Sequence, residues 1–271
     1  MNINIVVFAA GFLITYMSLP YFILMLTQGN CLEKNYLQKE IPISIGVVFV
    51  IVQVFICLII SFFYVRLQSL LFLYSVVIVI ISLVSLLDDL IGEKKIKGLK
   101  QHISLLISGK LTTGGLKAII GFTASVIISV KLFESWISLI INILIIALFS
   151  NIINMFDLRP GRALKVFILI SIFLTITAFI RDLDFIIFSV LGIVLAYLPN
   201  DIKGLSMMGD IGANFLGMTL GFYSVVSQHF SFKFVLLIIL IIIHVVGEFY
   251  SFSTIIDKNR LLKYFDNFGR Q

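Results

Sequence analysis

Long apolar runs constrain this chain more than anything else in it. The stretch Phe234–Val246 carries a single polar residue, His244, and comparable stretches recur along the whole sequence. A helix needs about 20 apolar residues to cross a bilayer. A transmembrane barrel would instead show alternating segments of about 10 residues, so these runs predict helices. The surface of such a fold must face lipid: 60% of the 271 residues are hydrophobic and only 13% charged, against roughly 45–50% and 25% in soluble domains. A soluble globular fold, a disordered chain, a coiled coil and a soluble nucleic-acid binder are all excluded.

The expected fold class is all-α, a polytopic transmembrane helix bundle of about nine spans, forming one integral-membrane domain over residues 1–271. The spans are predicted at 3–26, 43–64, 67–87, 116–132, 136–150, 164–180, 185–199, 213–229 and 232–252. The first lacks the basic n-region and small-residue cleavage site of a signal peptide. Spans two and three, four and five, six and seven, and eight and nine are joined by a few residues each. Longer polar segments fall at 27–42, 88–115, 151–163 and 200–212, with a tail at 253–271. Sixteen of the 20 Lys and Arg belong to the long set, and the short set holds Arg66, Lys131, Arg181 and Lys233. The positive-inside rule then puts the long segments and the C-terminus in the cytoplasm and the N-terminus outside. Net charge +6 is accounted for by topology and anionic lipid, so no nucleic acid is expected as a partner. Cys31 and Cys57 fit no disulfide or zinc pattern and read as packing residues.

Ionisable groups at span edges are costly and point to function. Four clusters stand out, all on the expected cytoplasmic face. Asp88 and Asp89 end span three; adjacent carboxylates raise at least one pKa unless a cation is near, which suits a general base or a metal site as well as a solvated helix end. Asn151, Asn154 and Asp157 recur every third residue in a helix extending span five, where interhelical hydrogen bonding by the asparagines is the alternative. Asp210 lies between Gly209 and Gly212, and glycines allow a metal or phosphate close approach. The fourth cluster is basic: Lys94, Lys95, Lys97, Lys100, Lys110 and Lys117 in one segment, Arg159 and Arg162 in another, Arg260, Lys263 and Arg270 in the tail. Topology explains cations there, and gripping a polyanion would also use them. Only His102 among the histidines lies in a cytoplasmic segment; His229 falls near the outer face, and His244 reads as a hydrogen-bonded bundle histidine. Together, carboxylates, amides and cations at one membrane face describe a site for pyrophosphate chemistry. Mg²⁺ takes one or two carboxylates plus substrate phosphates, and phosphoryl transfer needs mainly positioning and charge neutralisation.

These residues resemble the polyprenyl-phosphate N-acetylhexosamine-1-phosphate transferases, the glycosyltransferase family 4 type that includes phospho-N-acetylmuramoyl-pentapeptide transferase. Ile41-Pro42 with Gly46, Asp88-Asp89, Asn151-x-x-Asn154-x-x-Asp157, and Asn200 before Gly209-Asp210-x-Gly212 follow the family's motif order over nearly the whole chain. The resemblance implies transfer of a sugar-1-phosphate from a UDP-sugar to undecaprenyl phosphate with release of UMP. It further implies a multi-pass protein of a bacterial plasma membrane that initiates a cell-envelope glycan at the cytoplasmic face; a homodimer is compatible with it. Asp210 and Asn154 would hold Mg²⁺, or Mn²⁺ in its place. Asp88 and Asp89 would be catalytic beside the lipid phosphate. Asn151, Asp157 and Asn200 would bind substrate, Lys110 and Lys117 would neutralise the diphosphate, and Arg159 and Arg162 would recognise the sugar or a further phosphate.

The chain departs from the family's pattern in three places. A tenth span has no counterpart. The last-loop histidines are missing, with Arg260, Lys263 and Arg270 as candidate replacements. The central motif continues Leu158-Arg159-Pro160-Gly161-Arg162, and Met207 stands where many members place an aromatic residue. These departures leave a catalytically silent polyprenyl-phosphate-binding relative and a lipid transporter as alternative functions. A transporter would place ionisable groups near the bilayer midplane, whereas here, apart from His244 and Glu248, the ionisable groups are expected at one face.

Overall fold

The computed structural model describes residues 2–92, 105 and 108–270; Lys94, Lys95, Lys97, Lys100 and His102 lie outside them. Nine helices of 16 to 26 residues carry the described bundle: α1 (Ile3–Gln28), α2 (Val47–Phe63), α3 (Gln68–Ile91), α4 (Thr113–Lys131), α5 (Trp136–Phe156), α6 (Arg162–Thr177), α7 (Asp184–Ile202), α8 (Gly209–Ser227) and α9 (Phe230–Phe249). Two short helices follow, α10 (Phe252–Lys258) and α11 (Arg260–Asn267). Six of these helices are long and apolar enough to cross a membrane: α1, α3 with the 3-10 turn before it, α4, α5, α7 and α9. The chain is thus an all-α polytopic bundle. The other three long helices differ for physical reasons. α2 has 17 residues and α6 has 16, and α8 is enclosed by protein along nearly its whole length, so it carries Gly, Ser and Asn where a lipid-facing helix would need hydrocarbon.

α8 is the hub, packed against α3 and α5 most extensively and also against α2, α6 and α7. Small residues permit that. A Cβ on Gly217 would sit 2.4 Å from the Phe149 carbonyl oxygen of α5, so this contact brings the two backbones together without an intervening side chain. α1 lies along α7, and α9 along α5. The outward sides of α9 expose Ile238, Ile239, Ile241, Ile242 and Val245, a surface that only acyl chains can solvate without cost. His244, on the same helix, spends its Nδ1 on the Leu240 carbonyl at 2.9 Å.

Several helices run on past the hydropathy runs that announced them. The apolar spans end near 87, 150 and 199, and α3, α5 and α7 continue to Ile91, Phe156 and Ile202, as expected for the helix extending span five. The apolar signal stops where the bilayer would, but the backbone hydrogen bonding does not. The polar residues at these ends are thereby held on rigid helix. A small antiparallel pair, β1 (Leu32–Lys34) and β2 (Glu40–Pro42), was not expected; its register pairs Glu33 with Ile41. The Asn35 side chain forms its turn, accepting from Leu37 N at 2.9 Å and Lys39 N at 3.1 Å, a role short polar side chains fill in turns. Its Nδ2 donates to the Gly204 carbonyl, fastening the hairpin to the α7–α8 connection. At the far end of the bundle the Phe179 and Ile180 amides donate to the Ser227 carbonyl, each at 2.9 Å.

Candidate active site

The ends of α3, α5 and α7 and the starts of α4, α6 and α8 meet on one face of the bundle. Thr112 caps α4 by accepting from Gly115 N at 3.1 Å, which places Lys117 one turn inside. Its ammonium donates to Asp88 Oδ2 at 2.7 Å and to Asp210 Oδ2. Two carboxylates more than a hundred positions apart in the chain therefore share one cation. The group is open to the outside: side-chain exposure is 18% for Asp88, 20% for Lys117 and 39% for Asp210. An ammonium carries three donor hydrogens, so one remains for a ligand.

Asp89 does a different job from its neighbour. Its Oδ1 accepts from Asp210 N at 2.9 Å, and its Oδ2 from Ile211 N at 3.5 Å and Ser44 Oγ at 2.8 Å. The first turn of a helix has amides with no partner of their own, and α8 has no capping side chain in its own sequence. Asp89 supplies that cap from α3, with the negative charge placed at the positive end of the helix dipole. The fit is tight. Gly209 has φ +71°, and a Cβ there would lie 2.3 Å from Asp89 Oδ2. Ser44 also has positive φ, 68°, held by Ile45 N to the Met207 carbonyl at 3.1 Å and Gly46 N to the Met208 carbonyl at 2.9 Å.

Behind the carboxylates is a chain of amides. Asn214, one turn after Asp210, donates from Nδ2 to the Asp210 carbonyl at 2.9 Å and to Ser85 Oγ at 3.0 Å. Its Oδ1 must then accept, and it does so from Asn154 Nδ2 at 2.9 Å. That orients Asn154 with its carbonyl oxygen turned the other way, buried and without a hydrogen-bond partner. An orphaned buried acceptor fits a divalent cation, which takes oxygen ligands. Among the described residues no three His, Cys, Asp or Glu side chains gather into a metal cage.

Asp157 caps the end of α5. Burial, with the carboxylates of Asp201, Asp210 and Asp89 adding to it, pushes Asp157 well above the usual carboxylate range. Asn151 differs from the expectation of a shared face: it is exposed, and its Nδ2 reaches only Met155 Sδ, at 3.7 Å. Three-residue steps drift by about 60° per step around a helix, enough to turn Asn151 away while Asn154 faces α8. Lys110 and Arg159 are exposed on this face, and Asn200 is half-buried, its carbonyl taken by Leu205 N at 3.0 Å.

Arg162 requires a correction. It was expected at the substrate; instead it is buried, 3% exposed. Its Nε and Nη2 donate to the two carboxylate oxygens of Asp266, both at 2.8 Å, and Nη1 donates to Ser253 Oγ at 2.8 Å. Arg270 clasps the same carboxylate at 2.9 and 3.0 Å and donates from Nε to the Pro160 carbonyl at 2.7 Å. Burial opposes ionisation of Asp266, but the two guanidiniums, Arg162 ahead of Arg270, bring its pKa down to about 2. Asp266 and Ser253 take three of the five N–H donors of Arg162, and its burial keeps the other two away from an incoming phosphate.

Reading the sequence also missed Asp201, one residue after Asn200. It accepts from Gly161 N at 2.7 Å and from Tyr197 Oη at 3.4 Å, so it fixes the turn where the chain leaves α5 for α6. Its signal was present, a carboxylate at a span edge, but the neighbouring Asn200 took the motif position.

A model of glycosyl transferase family 4 matches residues 71–228. The match covers more than half of the chain and runs from α3 through α8, taking in Asp88, Asp89, Lys117, Asn154, Asp157 and Asp210. No single curated protein matches the chain.

Proposed function

We propose that this chain, which belongs to glycosyl transferase family 4, transfers N-acetylhexosamine-1-phosphate from a UDP-sugar to undecaprenyl phosphate and releases UMP. The setting would be the cytoplasmic face of a bacterial plasma membrane, where the product begins a cell-envelope glycan. A phosphate oxygen of the lipid attacks the phosphorus that bears the sugar. The new P–O bond gives a lipid-linked diphosphate, and the bond to UMP breaks with its electron pair leaving on the UMP oxygen.

The observation that carries this reading is the shared cation: Lys117 held between Asp88 and Asp210 at an accessible face. Phosphoryl transfer asks a protein mainly to position its reactants and neutralise charge. Lys117 offers its third hydrogen to a diphosphate oxygen, and its two carboxylate partners keep that ammonium aimed. Asp88, in the last turn of α3, would orient the incoming lipid phosphate. Asp210 with the orphaned Asn154 oxygen would hold Mg²⁺ or Mn²⁺. When bound, that ion supplies charge neutralisation across the diphosphate. Asp89 keeps the first turn of α8, and so Asp210, in place. Asp157, whose ionisation burial opposes, would line the nucleotide-sugar pocket, with the exposed Lys110 and Arg159 around the approach.

The test is to incubate purified protein with undecaprenyl phosphate, Mg²⁺ and individual UDP-sugars and to identify the lipid product by mass spectrometry. A lipid-linked sugar diphosphate from one of them supports the reading. Lipid binding with no turnover across the panel contradicts it.

A further inference from the structure

We propose that α11 is an interfacial helix that docks on the anionic lipid surface of the bilayer, on the face of the bundle that carries Asp88 and Asp210. The proposal stands on the C-terminal geometry and not on the reaction assigned above; α10 and α11 also lie outside the family match.

Successive residues of a helix are about 100° apart, and α11 uses three directions differently. One points into the protein: the Asp266 side chain is 8% exposed and held by Arg162 and Arg270. The next presents Leu261, Leu262 and Phe265, exposed by 66%, 42% and 61%. The third presents Arg260, Lys263, Tyr264, Asn267 and Phe268 around a shallow groove of about 340 Å³. A contiguous apolar side flanked by cations on a short helix is the pattern of a helix lying in a membrane interface.

Chain geometry leaves α11 little choice of surroundings. α9 is long and apolar enough to cross a membrane. Only Tyr250 and Ser251 separate it from α10, and only Asn259 separates α10 from α11. Phe252 of α10 packs on Phe156 at the end of α5, with ring centroids 4.7 Å apart. So α11 starts where the bundle meets the headgroups. Lys165 pins its far end by donating to the carbonyls of Phe265, Asp266 and Phe268. With Asp266 neutralised inside, the charges that Arg260 and Lys263 turn outward are cationic, which complements lipid phosphates. The occupant is therefore lipid, with acyl chains against Leu261 and Phe265 and anionic headgroups against Arg260 and Lys263. The same ion pairs tie the docked helix to the Pro160–Arg162 turn beside Asp157.

The chain has one tryptophan, Trp136, so Phe265→Trp in a Trp136→Phe background gives a single reporter; Leu261→Trp serves if the first fails to fold. The full chain is reconstituted in vesicles containing phosphatidylglycerol and in vesicles of phosphatidylcholine alone, each with and without acyl-brominated lipid. The expected result is blue-shifted emission, quenched at least twofold by the bromines with phosphatidylglycerol and less without it. Arg260→Glu with Lys263→Glu is expected to abolish that difference. Water-like emission unaffected by bromine overturns the proposal, as does equal quenching in both lipids. A blue shift that grows with the protein-to-lipid ratio instead of with bromine identifies a second copy as the occupant and equally overturns it.

Discussion

Replacing Asp266 by Asn tests the buried ion cluster that displaced Arg162 from the substrate. The carboxylate is brought from 3.8 to about 2 by its guanidinium partners. At 1.36 kcal/mol per pKa unit, that is about 2 kcal/mol in favour of the ionised, docked form. Removing one member of a buried pair costs more than the pair contributes, about 3–5 kcal/mol, because Arg162 and Arg270 are then left facing each other. Asp266→Asn should therefore loosen the attachment of α11 by about 2–5 kcal/mol, at least about 30-fold in the exchange of its protected amides at 1.4 kcal/mol per tenfold. Arg162→Met should cost less, since Arg270 still neutralises the carboxylate. The assay is amide hydrogen exchange of the 260–268 segment in lipid nanodiscs. Asp266 has a depressed folded pKa, so its contribution is complete above about pH 4 and is lost as pH falls through about 2. Wild-type protection, corrected for intrinsic exchange, should hold from neutral pH to about 4 and decline below it, while Asp266→Asn shows no such decline. Exchange within twofold of wild type for Asp266→Asn, or a larger loss for Arg162→Met, would refute this account of the cluster.

Three further outcomes follow from the same geometry. Asp89→Ala removes the cap of α8 and should lower stability by about 1–2 kcal/mol, read as thermal unfolding in detergent, whereas Asp88→Ala, which breaks only a partly exposed pair, should leave the unfolding temperature nearly unchanged. Gly217→Ala would drive a Cβ into the Phe149 carbonyl, so α5 and α8 should separate and the protein should fail to accumulate as a monodisperse species on size exclusion. Lys117→Met should reduce UMP release by about 10²–10³, the scale seen when one charge-stabilising donor is removed, with thermal stability retained.

The helices and most of the carboxylate positions were legible because a bilayer makes ionisable groups conspicuous. Asp88, Asp89, Asn154 and Asp210 stand out at the ends of apolar runs, and helical continuation carries them onto one face. Legibility ended where partners are distant in sequence and ordinary in type. Nothing in Arg159-Pro160-Gly161-Arg162 announces that Asp266, over a hundred residues on, completes a buried pair with the last arginine. The division of labour between Asp88 and Asp89 was hidden for a similar reason. Adjacent residues on a helix point about 100° apart, so one meets Lys117 and the other meets the amides of α8. Ser44 was invisible because its role depends on positive φ, which glycine advertises and serine does not. Asn214 was not singled out in the sequence, yet its amide sets which way Asn154 points.

The account stands or falls on the pairing of Asp88 and Asp210 around one cation as a place where phosphate is transferred. Its most direct measurement is UMP release with undecaprenyl phosphate, Mg²⁺ and the accepted UDP-sugar by wild type and by Asp210→Asn, both shown folded by their thermal transitions. The expected result is metal-dependent turnover in wild type that chelation abolishes and a loss of about 10³ or more in the variant. UMP release by Asp210→Asn at the wild-type rate would contradict it.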